Sequence, residues 1–182
     1  MIYYHTPYDT SGNIGNYYNK VMSELPSPQD WVVFTDRDVW FPHPHYGKII
    51  ELYSKQNEYG LLTCQTNRVG TPYQCFNGKY WNLEDNKAHV KLAEGLYLKH
   101  NTEIADITNN SPISGMLIML KKSTWLSSGG FKNTGLLGVD NSIHYAVRNK
   151  GGKVGMMLGM YVWHYYRSGI INDKKHLQQI EL

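Results

Sequence analysis

A short stretch that is apolar on both of its faces places the strongest constraint on how this chain can fold. Trp31–Thr35 begins with four consecutive apolar side chains. Successive side chains of a strand point to opposite faces, so both faces of this strand must be covered. The stretch therefore predicts a buried central strand in a layered domain.

Helical and strand-like patterns alternate on either side of that strand. Apolar residues recur at helical spacing from Ile14 to Leu25. Further strands are predicted at 2–5, 61–65, 113–120 and 154–163, and further helices around 49–53, 90–97 and 139–147. This alternation predicts a single α/β domain over residues 1–182, with helices packed on a largely parallel sheet. Ligands of such sheets gather at the carboxyl ends of the strands.

Charge and composition exclude several classes of protein. The net charge is +3 and the basic residues are scattered, which argues against a nucleic-acid partner. The longest apolar stretch, residues 154–163, is about half of a membrane span. Cys64 and Cys75 match neither a disulfide framework nor a zinc finger. We therefore expect a cytoplasmic protein without a transmembrane segment.

Two aspartates follow the central strand directly, in Asp36-Arg37-Asp38. Residues two apart on an extended chain project to the same side, so both carboxylates can face one ligand. Hard divalent cations take oxygen ligands, which makes this segment a candidate Mg²⁺ or Mn²⁺ site that binds a diphosphate. The alternative is a solvated acidic turn that Arg37 neutralises.

Three later residues have both a structural and a chemical interpretation. His164 ends the last predicted strand and either completes a metal site or is a hydrogen-bonded core residue. Asp140 begins a predicted helix, as its N-cap, as a general base, or as both. Arg167 either clamps a diphosphate or pairs with a surface carboxylate.

Taken together, these segments resemble the nucleotide-sugar-dependent glycosyltransferases of the GT-A fold, especially family 2. The resemblance covers most of the chain and rests on the order and spacing of several motifs. The matching segments are His5-Thr6-Pro7-Tyr8, Asn13-Ile14-Gly15, Trp31 to Pro42 with its Asp-x-Asp, Ser114-Gly115, Gly129-Gly130-Phe131, Gly138-Val139-Asp140 and His164. It implies a Rossmann-like three-layer sandwich with a mostly parallel mixed sheet.

The resemblance also implies a role for each site residue. Asp36, Asp38 and His164 would hold Mn²⁺ or Mg²⁺ against the donor diphosphate, and Asp140 would deprotonate an acceptor hydroxyl, with inversion at the anomeric carbon. A UDP-sugar is the expected donor, and a glycan or a lipid-linked molecule at a membrane surface is the expected acceptor. The nucleotide would contact Thr6, Pro7, Tyr8, Asp9, Asp36 and Arg37, and the sugars would contact Ser114, Gly115 and Arg167.

Departures from the family pattern leave other classes open. Val139 stands where the family usually has Glu, and no Gln-x-x-Arg-Trp segment is present, which implies a single-addition transferase. A noncatalytic domain on the same fold, which binds a nucleotide or a sugar, is one alternative. A haloacid-dehalogenase-like phosphatase that uses Asp36 and Asp38 is another, although the paired acidic residues of that family are missing.

Overall fold

The computed structural model describes residues 1–10, 12–132, 134–135, 137–166 and 168–171. The strands are β1 Ile2–His5, β2 Trp31–Thr35, β3 Val39–Trp40, β4 Leu61–Thr66, β5 Ile104–Asp106, β6 Leu117–Lys121 and β7 Val154–His164. The α-helices are α1 Ile14–Glu24, α2 Tyr46–Ser54, α3 Asn86–His100, α4 Lys122–Ser128 and α5 Val139–Asn149, and short 3-10 helices span Pro72–Gln74 and Gly78–Tyr80. These elements form two compact units, each built from three segments of the chain.

The first unit comprises residues 1–37, 56–63 and 106–155, and strands β1, β2, β6 and β4 lie side by side in it. β1 runs parallel to β2, with Ile2 opposite Trp31. β6 is antiparallel to both β2 and β4, so β1, β2 and β4 share one direction and β6 opposes them. The first four residues of β2 are buried, as its apolar run predicts.

Three aromatic rings attach helix α1 to the central strand of the first unit. The Tyr18 ring meets Phe34 edge-on at 4.6 Å between centroids and stacks on Phe131 at 4.6 Å. The Asn19 side chain accepts hydrogen bonds from the Trp125 indole and from the Phe131 main chain. Helix α1 is therefore held by specific contacts near its middle, on Tyr18 and Asn19.

The second unit comprises residues 38–55, 64–105 and the chain from Met156 onward. β7 is its longest strand; β4, β3 and β5 pair with it, and β3 does so in the antiparallel sense. His89 on α3 stacks on Trp163 at 4.1 Å and shares a 2.8 Å hydrogen bond with the Tyr161 hydroxyl. Leu83 accepts the hydrogen bond of the other ring nitrogen of His89, so this buried imidazole is fully partnered.

Close backbone packing occurs at Gly159, in the middle of β7. Its main-chain N–H donates to the Tyr53 hydroxyl, which lies 2.9 Å from the carbonyl oxygen of Asn101. A Cβ at position 159 would lie only 1.9 Å from that carbonyl oxygen. Only glycine fits here.

The structure confirms the predicted α/β class: a mixed open sheet with helices, in which most strands run in one direction. The expected start of one strand was wrong, because β6 begins at Leu117 rather than near residue 113. The N-cap interpretation of Asp140 was also wrong, because Gly138 fills that position of α5. Helix α4 was not predicted and follows β6 without a break. The single domain over 1–182 remains a prediction. None of the described helices is long and apolar enough to cross a bilayer.

Both cysteines are free thiols in the second unit. Cys64 lies in β4 and is completely buried, and burial raises the pKa of its thiol far above the ordinary value. Burial also raises the pKa of Cys75 to about 11, although a hydrogen bond with the Val69 backbone partly offsets that rise. Neither thiol therefore ionises near neutral pH.

Candidate metal centre

The sequence-predicted metal ligands Asp36, Asp38 and His164 come together in the structure. One ligand atom from each lies within 4.8 Å of the others. Asp36 and Asp38 follow the end of β2, and His164 is the last residue of β7. The short ladder between β3 and β7 places Val39 opposite His164, and the Asp38 carbonyl accepts a 2.8 Å hydrogen bond from the Tyr165 main chain. Backbone pairing thus fixes Asp38 beside His164.

The hydrogen bonds of His164 determine which ring nitrogen faces Asp38. Nδ1 lies 3.0 Å from the carbonyl oxygen of Arg68, which only accepts hydrogen bonds, so Nδ1 carries a proton. Nε2 therefore points towards Asp38, 3.4 Å from Oδ1. In a neutral imidazole this nitrogen has a lone pair and no proton, and it would face a carboxylate oxygen across a gap longer than a good hydrogen bond. Either a bound cation or a second ring proton makes this arrangement favourable.

The donor set suits a divalent cation. Two carboxylates supply hard oxygen ligands, and one imidazole nitrogen adds a ligand that Mn²⁺ accepts. A metal-binding histidine usually donates its other ring N–H to a carbonyl or carboxylate, as His164 does to Arg68. The Asp38 side chain keeps 40% of its surface exposed, whereas that of His164 keeps 7%. The group can therefore hold a metal ion. The histidine in it is fixed and buried, and the Asp38 carboxylate stays accessible to a ligand.

Asp140 is a half-buried carboxylate in the first turn of α5. Desolvation raises its pKa above the ordinary value, and hydrogen bonds from the main-chain N–H groups of Asn141 and Gly115 partly offset that rise. The charge of Asp140 also affects the nearby Tyr18 hydroxyl. Burial raises the pKa of Tyr18 most, and the charges of Asp36 and Asp140 raise it further. Within the first unit, then, both carboxylates act electrostatically on one hydroxyl group.

Gly115 lies directly against Asp140, which the sequence did not indicate. A Cβ at position 115 would lie 3.2 Å from the Asp140 Cβ and 3.3 Å from its Oδ2. Ser114 and Gly115 are half-buried in the segment just before β6. The absence of a side chain at residue 115 thus lets the carboxylate approach the backbone and accept its N–H.

The remaining predicted site residues occupy loops. The segment from Thr6 to Asp9 follows β1 without regular structure, and Tyr8 in it is exposed. Arg37 is exposed between the two aspartates. Arg167 lies outside the described residues. Contacts of these residues with a nucleotide or a sugar remain predictions.

Asn67 and Arg68 are site residues that the sequence analysis missed. Both are completely buried, and both hold His164. The available signal was their position, since polar residues directly follow the carboxyl end of strand β4. These two residues begin the segment between β4 and α3, and the structure places that start against His164.

Comparisons with protein-family models and with curated proteins of known function find no match to this chain. The fold and the site therefore define the class of the protein by themselves. It is an α/β protein with a mixed open sheet and an Asp-Asp-His group at strand ends that can hold a metal ion.

Proposed function

We propose that this chain is a metal-dependent glycosyltransferase of the GT-A fold. The observation that carries the proposal is the arrangement of His164, whose protonated Nδ1 is bound to a carbonyl while Nε2 faces the Asp38 carboxylate. A pair of carboxylates and a histidine at strand ends suits a cation that bridges to an anionic leaving group. A nucleoside diphosphate is such a group, and a UDP-sugar remains the expected donor.

Asp36, Asp38 and His164 would hold Mn²⁺ or Mg²⁺. When bound, the cation would neutralise the charge that develops on the departing diphosphate. Asp140 would accept the proton of an acceptor hydroxyl, whose oxygen attacks the anomeric carbon. The bond from that carbon to the donor oxygen breaks, and its electron pair leaves with the nucleoside diphosphate. Attack opposite the leaving group would invert the anomeric centre.

The environment of Asp140 supports its role as the base. A carboxylate with an ordinary pKa is a weak base near neutral pH, and burial raises the pKa of Asp140 towards the range where proton transfer is efficient. Gly115 fixes the carboxylate from one side through its N–H. The acceptor is a glycan or a lipid-linked molecule in this proposal, so a cytoplasmic or membrane-peripheral location fits both.

Thermal unfolding with nucleotides tests the donor and the metal together. UDP, GDP and dTDP are each added with and without Mn²⁺, and the matching nucleotide should raise Tm only when Mn²⁺ is present. At one hundred times Kd the stabilisation is about 2.7 kcal/mol, or roughly 5–10 °C for a chain of this size. D38A should abolish this shift. The control E24Q removes an exposed carboxylate at the end of α1 and should keep it.

Turnover assays separate the transferase from the two other classes. A panel of nucleotide sugars is incubated with the wild type and with D140N, alongside a generic phosphate ester. Transfer or donor hydrolysis that D140N abolishes while nucleotide binding persists supports the proposal. Release of phosphate from the ester would identify a phosphatase instead. No Tm shift with any nucleotide would refute the donor assignment.

A further inference from the structure

The segment after β4 holds His164 through two hydrogen bonds at different points. The His164 main-chain N–H donates to Asn67 Oδ1 at 2.9 Å, and its ring Nδ1–H donates to the Arg68 carbonyl at 3.0 Å. Asn67 and Arg68 have no exposed surface, so water does not compete for either bond. One bond fixes the backbone of the histidine, and the other fixes the rotation of its ring.

The Arg68 side chain in turn anchors this segment. Its guanidinium donates to the Trp81 carbonyl at 2.6 Å and to Ser168 Oγ at 2.8 Å, and it pairs with Glu84 at 3.3 Å. Trp81 and Glu84 belong to the loop before α3, and Ser168 follows His164 by four residues. The carbonyl that receives the His164 ring proton is thus part of a residue that is itself held at three points.

We propose that Asn67 and Arg68 are positioning residues that keep the His164 ring protonated on Nδ1, with Nε2 available as a metal ligand. This inference rests on the metal site of the proposed function. A free histidine in water favours the other tautomer only weakly, so the buried hydrogen bond from Nδ1 to the Arg68 carbonyl is sufficient to select one form, and the backbone bond to Asn67 keeps the histidine in place for it. Metal binding then requires neither rotation of the ring nor transfer of a proton between its nitrogens.

Nitrogen NMR of the metal-free protein tests the ring state directly. A ¹⁵N spectrum of labelled histidines distinguishes the two neutral tautomers and the doubly protonated ring. The chain has 8 histidines, and the spectrum of H164Q identifies the signals of this one. At a pH at which the ring is neutral, we expect a proton on Nδ1 and none on Nε2. A proton on Nε2 instead would overturn the proposal.

Mn²⁺ affinity tests whether the positioning matters, measured from the electron paramagnetic resonance signal of free Mn²⁺. N67A removes the acceptor of the His164 backbone and should raise Kd about 10- to 100-fold. T66V is the matched control, since Thr66 is also completely buried and donates to the same Asn67 oxygen without contacting His164. T66V should change Kd less than about threefold. Equal effects of the two variants, or no effect of N67A, would refute a positioning role.

Two further outcomes keep the two proposals distinguishable. If N67A does not fold, N67D retains an acceptor oxygen at the same place and should keep the protonated Nδ1, and a switch to Nε2–H in N67D counts against the proposal. Failure of the wild type to bind Mn²⁺ would refute the metal site and the transferase together. Tight Mn²⁺ binding with a proton on Nε2 in the metal-free ring would refute the positioning role alone.

Discussion

Replacement of Gly159 by alanine tests how tightly the second unit is built. The added Cβ would lie 1.9 Å from the Asn101 carbonyl oxygen and 3.1 Å from the Tyr53 hydroxyl. Ordinary contact begins at 3.4 Å, so the strand and the end of α3 must separate by about 1.5 Å. That movement breaks the hydrogen bond from Gly159 to Tyr53 and disturbs the one from Tyr53 to Asn101.

The cost combines two effects. Overpacking of a tight site costs about 1–3 kcal/mol, and each lost hydrogen bond adds about 1 kcal/mol. A total of about 3 kcal/mol corresponds to a fall in Tm of roughly 6–12 °C for a chain of this size. G95A is the matched control: Gly95 is exposed in α3 with nothing within 4 Å of the added Cβ. It should raise stability by about 0.5–1 kcal/mol, because alanine is the better helix former.

Differential scanning calorimetry of G159A, G95A and the wild type measures these shifts under one set of conditions. The order of Tm should be G159A lowest and G95A highest. A G159A protein that melts within about 2 °C of the wild type would contradict the close approach of β7 to residue 101, since that shift corresponds to less than about 1 kcal/mol.

Three further predictions concern the site and the core. D140N should be more stable than the wild type near neutral pH, because burial raises the pKa of Asp140 and ionisation of this carboxyl lowers the free energy of unfolding as the pH rises through the folded-state pKa. Urea unfolding from pH 3 to pH 8 should show this fall in the wild type and not in the variant. G115A pushes the Asp140 carboxylate by a few tenths of an ångström and should lower kcat about three- to tenfold with little change in Mn²⁺ affinity, and an unchanged kcat in steady-state assays would argue against Asp140 as the base. Y161F removes the donor to His89 Nδ1 and should cost about 1–3 kcal/mol in urea unfolding at pH 8, whereas a neutral effect would mean that the imidazole finds another partner.

Much of the fold followed from patterns that a single segment carries. The apolar run of β2 and the helical spacing of α1 depend on their own residues, and the structure reproduces both predictions within one residue. The two-residue strand β3 exists only because it pairs with the end of β7, so its sequence alone contains no signal. Helix α4 was missed because it begins directly after β6, without a turn to separate the two patterns.

The residues of the candidate site also fall into those that the sequence predicted and those that only the folded structure shows. Asp36, Asp38 and His164 were predicted because each is a metal-binding residue type at the end of an apolar strand, and the structure brings them together. Asn67 and Arg68 act through a side-chain amide and a main-chain carbonyl, and the second of these is available in every residue of the chain. Only the folded arrangement shows which carbonyl meets the histidine. The resemblance assigned Gly115 to sugar binding. Its contact with Asp140 depends on tertiary packing, which the spacing of residues in the sequence does not show.

The two thiols of the second unit give the protein its own reporters of local opening. Alkylating reagents react with the thiolate as the nucleophile, and burial suppresses that form at Cys64 and, with a pKa of about 11, at Cys75. Cys64 has no exposed surface, so its labelling proceeds only from molecules in which β4 has opened, whereas the half-buried Cys75 is also labelled slowly from the folded protein. Mass spectrometry of the Cys64 peptide would give the opening free energy of β4, with the Cys75 peptide as an internal comparison. The natural sequence thus suffices for such measurements, without any introduced probe.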